Sequence, residues 1–172
     1  MHGRLASARG EPSRGIAFLT KAVSQAERAH DSLAIGLAHY ELGLCYRQVG
    51  DTAIVRDHIT QAASALHAAG DKRHLAMVHS LSGITLAQEG RLDEAMAALR
   101  HAERLALLVD AGDVLATVCG NQANVALMQH RHDQALTLAE RSVELQEDAG
   151  TPHGLGGGAR VAWDRSACGS AT

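Results

Sequence analysis

The sequence predicts an all-α solenoid of antiparallel helix pairs. Three observations predict it: an internal period of 40 residues, glycines that punctuate helical stretches, and a core composition dominated by alanine and leucine with few aromatics.

At an offset of 40, Gly10, Gly50, Gly90 and His130 fall in one column and Gly3, Gly43, Gly83 and Ala123 in a second. Ala22, Ala62, Ala102 and Ser142 form a third. Larger apolar columns interleave with these, Leu19, Ile59, Leu99 and Ala139 in one and Ala6, Tyr46, Leu86 and Ala126 in another. Small residues alternating with large ones are what closely packed helices require. Phe18, Tyr40, Tyr46 and Trp163 are the whole aromatic set, whereas a β-sandwich would draw on aromatic and β-branched side chains.

A first helix is expected over residues 13–29. The register of Gly3, Ala6 and Gly10 places the residues before it inside an earlier helix, so residues 1–30 read as an incomplete repeat. The second helix, 31–49, opens at Asp31 and stops at Gly50; the third, 51–69, runs from Asp51 to Gly70; the fourth, 71–89, from Asp71 to Gly90. Glycine after a helix supplies the left-handed cap, and the aspartate that follows can accept from the free N–H groups of the next helix.

The fifth helix, 91–109, carries Leu92, Met96, Leu99 and the Leu105 to Val109 cluster at spacings of three and four. Asp93 and Glu94 occupy its first turn, where the helix dipole favours negative charge. Helices over 111–129 and 132–149 complete the series, each about 27 Å long at 1.5 Å per residue. The expected organisation is a repeat domain over 1–150, with repeats of about 31–70, 71–110 and 111–150 after the incomplete one.

Residues 151–172 read as a glycine-rich, poorly structured tail. Thr151-Pro152 could start a helix, but Gly154, Gly156, Gly157 and Gly158 follow, and each interior glycine costs about 1 kcal/mol relative to alanine. Trp163 also falls in the column of Gly43, Gly83 and Ala123, where helices approach closely.

A net charge of −3 with mixed signs offers no basic stripe for phosphates, so nucleic acid is not an expected partner, and no charge run suggests a membrane surface. Met1 to Arg14 lacks the apolar core of a signal peptide and no apolar run approaches the roughly 20 residues of a membrane span, so a cytoplasmic location is expected. Lys21 and Lys72 are the only lysines against abundant Arg, Ala and Gly, a bias that points to a GC-rich, bacterial genome.

Cys45, Cys119 and Cys168 are odd in number and widely spaced; neither a disulfide framework nor a zinc site is indicated, and Cys45 and Cys119 read as packing residues. Eleven histidines invite a metal hypothesis, and His130-Arg131-His132-Asp133 is the densest group. It lies at a turn without an i+4 ligand partner, so no metal is expected there. His30 and His39, His74 and His79, and the isolated His58, His67 and His101 present no ligand constellation in sequence. No nucleophile elbow, phosphate loop or dinucleotide fingerprint is present, so neither an enzyme nor a cofactor is expected.

Residues 82–102 resemble the tetratricopeptide repeat, through Gly83 in a first helix, Gly90 at the turn, and Ala95, Leu99 and Ala102 in a second helix. Residues 42–62 repeat the pattern as Leu42, Gly43, Tyr46, Gly50, Val55, Ile59 and Ala62. Residues 122–142 repeat it through Ala123, Ala126, Ala135, Ala139 and Ser142. The 40-residue unit is similar to the long-helix variety found in G-protein-signalling adaptors, kinesin light chains and bacterial regulators.

That resemblance implies a right-handed superhelix whose first helices line a groove for a protein or peptide partner. Asn121-Gln122-Ala123-Asn124 looks like the family's backbone-holding asparagine motif, while Glu41 and Leu44, and Leu81 and Ile84, stand where the other repeats would carry asparagine. Carried over position by position, the groove is expected to present Leu37, Tyr40, Glu41, Leu44, Arg47 and Gln48. Met77, Ser80, Leu81, Ile84 and Gln88 continue it, and Thr117, Asn121, Asn124 and Met128 end it.

The expected function is therefore a protein- or peptide-binding module of bacterial signalling, within a larger regulator. The alternative is a dimerisation or spacer segment with no peptide groove in use. Solenoids need polar caps at both ends, and neither end of the repeat register supplies one, so self-association through the ends is a further expectation.

Overall fold

The computed structural model describes residues 12–150. The readings of Gly3, Ala6 and Gly10, of the segment 151–172 with Trp163, and of Cys168 lie outside the described residues.

Among the described residues there are seven α-helices and no strand: α1 (Pro12–Arg28), α2 (Ser32–Val49), α3 (Thr52–Ala69), α4 (Lys72–Gln88), α5 (Leu92–Leu108), α6 (Gly112–Met128) and α7 (His132–Gly150). Each end falls within one residue of its sequence expectation.

Every turn has the same build. His30, Gly50, Gly70, Gly90, Asp110 and His130 all adopt left-handed backbone, with φ between 52° and 87°. At each, the amide donates to the carbonyl three residues back and the next amide reaches five back, as in Asp110 N to Leu107 O (3.3 Å) and Ala111 N to Ala106 O (3.0 Å). This closes the last carbonyls of one helix and reverses the chain. The turn thus recurs every 20 residues, half the sequence period, and only three of the six positions are glycine.

The helix starts divide into two kinds. Asp31, Asp51 and Asp71 cap α2, α3 and α4, each accepting from the amide three residues on, Ala34 (3.0 Å), Ile54 (3.1 Å) and His74 (2.9 Å). Arg91 and Ala111, before α5 and α6, make no side-chain cap. There, acidic first-turn residues, Asp93 and Glu94 in α5 and Asp113 in α6, take over through the helix dipole.

α2 with α3, α4 with α5, and α6 with α7 pack as antiparallel hairpins, and α1 packs on α2. Successive hairpins meet through α3 and α4 and through α5 and α6. In addition α2 touches α4 and α4 touches α6, whereas no comparable contact joins α3 to α5 or α5 to α7. The solenoid therefore curves toward an inner layer of α2, α4 and α6.

The columns of Gly43, Gly83 and Ala123 and of Ala62, Ala102 and Ser142 become core, whereas the column of Gly50, Gly90 and His130 lies at exposed turns and Ala139, in the column of Leu99, is exposed. Ala62 and Ala102 are fully buried, and Leu99 inserts against Gly83, where a Cβ would lie 2.6 Å from Leu99 Cγ. Gly36, outside the recognised columns, plays the same part: a Cβ there would lie 2.5 Å from Leu66 Cγ, and Leu66 is fully buried. Truncating either leucine to alanine is expected to cost about 2–5 kcal/mol. Cys45 and Cys119 are packed within the core clusters, Cys119 against Val118 and Val114. No described helix is long and apolar enough to cross a membrane.

Candidate functional site: a groove across three inner helices

Because α2, α4 and α6 touch in sequence along the inner layer, one stripe of each faces a common cavity of about 340 Å³. α2 contributes Tyr40, Leu44 and Arg47; α4 contributes Met77, Ser80, Leu81 and Ile84; α6 contributes Asp113, Val114, Thr117 and Asn121. On each helix these positions recur at three and four residues, which is the spacing of a single helical face.

Nine of the residues singled out in the sequence thus come together. Six do not line this cavity. Glu41 lies beside Tyr40 off the lining stripe, and Gln48 and Gln88 sit exposed at the last turns of α2 and α4. Asn124 lines an adjoining depression between α6 and α7, which shares Thr117 and Asn121 with the groove, and Met128, 49% exposed, lies at the end of α6. Leu37 packs with Tyr40, Ile59 and Leu75 around the buried Ala62, Leu66 and Val78, so it builds the wall behind the groove. Asp113 and Val114 line the groove without having been singled out. They lie four and three residues before Thr117, so the helical spacing carried the signal.

The chemistry is graded across the surface. Leu44, Met77, Leu81, Ile84 and Val114 form an apolar middle. Leu81 is 3% exposed and serves the core as much as the groove, its Cδ2 approaching the position of a Gly43 Cβ to 3.1 Å. At one side stands Arg47, whose Nε is buried without a hydrogen-bond partner. Such a donor is costly to leave unmatched, so an acceptor arriving in the groove would gain from it.

At the other side Asn121 Nδ2 donates to the buried Ser80 Oγ at 2.9 Å, tying α6 to α4. Arg73 of α4 and Asp113 of α6 form an ion pair at the rim. The Arg73 hydrogen bond holds the Asp113 carboxyl below its ordinary range. A further network sits behind the groove, where Glu103 of α5 accepts from Gln122 of α6 (2.9 Å) and from Arg141 of α7 (2.8 Å). These links fix the spacing of the inner helices and hence the width of the groove.

The histidines that looked isolated in sequence meet in pairs. His39 of α2 and His58 of α3 place their Nδ1 atoms 3.0 Å apart, and His58 stacks on Tyr46. His79 of α4 and His101 of α5 meet edge to face at 4.3 Å. Burial lowers the pKa of His39 and of His58, the second further lowered by His39 itself, and burial beside His101 brings His79 down to about 4. Among the described residues no three of His, Cys, Asp and Glu gather as metal ligands would.

Two solved structures share this arrangement. BtubC (BKLC) from P. vanneervenii superimposes with a TM-score of 0.72 at 12% identity, over 91% of this chain and 65% of that one. The apo form of RapI superimposes with a TM-score of 0.61 at 12% identity, over 84% of this chain and 65% of that one. The fold is a tetratricopeptide-like helical solenoid. At this identity the likeness speaks for the fold alone, and the chain spans about two thirds of the length of either protein. No family model and no curated protein matches the sequence.

Proposed function

We propose that this tetratricopeptide-like solenoid is a protein-interaction module, not an enzyme, and that the groove across α2, α4 and α6 receives a short apolar segment of a partner protein. The observation that carries the reading is the composition of the groove: an apolar middle bounded by the unmatched Arg47 Nε on one side and by Asn121, Thr117 and Asp113 on the other. An apolar strip flanked by a few placed polar groups suits a peptide whose side chains fill the middle and whose backbone or carboxylate meets the flanks. The helical repeat folds of BtubC and RapI support a protein as the kind of partner. The same proposal extends to a cytoplasmic bacterial setting and to a place within a larger regulator, on the compositional grounds given above.

Peptides selected from a displayed random library test this. They are expected to share apolar side chains and an acidic or terminal carboxylate, and to lose binding to Leu44→Glu, Met77→Glu and Arg47→Ala while the helical circular dichroism of each variant stays unchanged. Retained binding in all three would remove the groove from the account and leave a spacer role.

A further inference from the structure

We propose that the outer face of the last hairpin, formed by α6 and α7, is a self-association surface that pairs with the same face of a second copy of this chain. The face is a shallow depression of about 660 Å³ running along both helices. Leu127, Leu136 and Val143, which line it, are 50%, 61% and 53% exposed. The residues 40 positions earlier occupy the corresponding face of the α4–α5 hairpin, where α6 covers it: Ala87 is 6% exposed and Met96 4%. The last described hairpin thus presents an apolar face where the α4–α5 hairpin buries its own.

The polar content of the face favours a copy of itself over a continuation of the solenoid. At the internal joint Glu103 of α5 binds Gln122 of α6, and this charged acceptor fixes the next inner helix. One period later Val143 stands in the place of Glu103, so that link is gone. None of the side chains lining the face is Asp, Glu, Lys or Arg, and His132 is its one titratable group. A two-fold interface brings each residue near its own mate across the axis, and a charged residue there would meet its own charge. Of the amides on this face Asn121 is already bound to Ser80, while Asn124 and Gln146 carry both donor and acceptor and can pair with themselves.

The repeat register of the following sequence does not provide the cover. α6 buries itself against α4 and α5 through Val114, Leu115, Val118 and Cys119. Forty residues on, the sequence holds Gly154, Leu155, Gly158 and Ala159, which retains a single large apolar side chain.

The chain of residues 1–172 tests the proposal. Sedimentation velocity from micromolar to submillimolar concentration is expected to show a monomer–dimer equilibrium. Leu136→Glu and Val143→Glu, at positions already more than half exposed, should weaken it by about 30-fold or more each, with unchanged circular dichroism. Leu108→Glu, 65% exposed at the end of α5 and outside this face, should leave it intact. A chain that is monomeric throughout, or a dimer broken by Leu108→Glu and indifferent to Leu136→Glu, overturns the assignment. Trp163, the sole tryptophan, identifies the competing occupant. If a monomeric chain shows shielded Trp163 fluorescence that becomes solvent-exposed in Leu136→Glu, its own C-terminal segment takes the face and the proposal fails.

Discussion

Asn121 of α6 donates from Nδ2 to Ser80 Oγ of α4 at 2.9 Å, a bond between inner helices of successive hairpins at the edge of the groove. Since Ser80 is buried, removing the amide leaves its hydroxyl without that donor. Asn121→Ala is expected to cost about 1 kcal/mol of stability. Ser80→Ala in the Asn121→Ala background should cost less than Ser80→Ala alone. A double-mutant cycle in urea checks this, and additive losses would mean the two side chains do not act as a pair. The same bond commits one amide hydrogen of Asn121 to the scaffold, so the side chain is a held group when a ligand arrives.

Gly36 and Gly83 are predicted to resist substitution for a steric reason. In an ordinary helix interior Gly→Ala stabilises by about 1 kcal/mol. A Cβ at position 36 would meet Leu66 Cγ at 2.5 Å, and one at position 83 would meet Leu99 Cγ at 2.6 Å and the Ala95 carbonyl oxygen at 3.1 Å. Overpacking of this kind costs about 1–3 kcal/mol, so Gly36→Ala and Gly83→Ala should both lower the melting temperature. Gly112, at the first turn of α6 with nothing within 4 Å, is the control: Gly112→Ala should not lower it.

The six turns separate backbone strain from packing. Gly50, Gly70 and Gly90 have open space around them, yet their φ values of 87°, 71° and 77° disfavour any side chain. Gly90→Ala should therefore destabilise by about 1 kcal/mol although it touches nothing. Asp110 and His130 hold the same conformation at φ 53° and 59° without the freedom of glycine. Asp110→Gly and His130→Gly should each stabilise by about 0.5 kcal/mol, reduced from the full conformational gain by the extra entropy glycine brings to the unfolded chain. Thermal melts of the three variants give opposite signs if the turns are as alike as their hydrogen bonds.

These turns also mark how much of the molecule was legible. The helix limits followed from Gly50-Asp51, Gly70-Asp71 and Gly90, and the 40-residue period carried them through positions 110 and 130, where no glycine signals a stop. The groove was legible where helical spacing continued from Tyr40 to Arg47 and from Met77 to Ile84, and overshot at Gln48 and Gln88, where the stripe runs out onto the exposed last turns of α2 and α4. It was missed at Asp113 and Val114 because the third stripe was begun one turn late. The histidine pairs were invisible to a search for local ligand spacing, since their partners lie across a turn. His79 and His101 each lie 11 residues from Gly90, and His39 and His58 lie 11 and 8 residues from Gly50. Folding the sequence about each left-handed turn would have brought them together. The exposed face of α6 and α7 was foreshadowed only as an uncapped end; which side chains it offers depended on how far Val143 and Leu136 turn outward.

Those histidine pairs give the protein an acid-sensitive stability. In the unfolded chain each histidine titrates near its ordinary value of 6.5, whereas burial lowers the pKa of His39, His58 and His79 in the fold, His79 to about 4. Glu27 opposes the shift at His39 and Asp57 opposes it at His58, while His79 faces His101, which adds to the lowering. As pH falls below 6.5 the unfolded state takes up protons that the folded state refuses, so stability present at neutral pH is lost progressively toward pH 4. The 3.0 Å contact of the two Nδ1 atoms sharpens this, because it requires one bare acceptor nitrogen and is broken when both rings are protonated. Urea midpoints measured between neutral pH and pH 5 should fall for the wild-type chain. They should fall less for His79→Gln, whose side chain does not titrate, whatever that substitution costs at neutral pH. An equal decline in both would place the acid sensitivity elsewhere in the molecule.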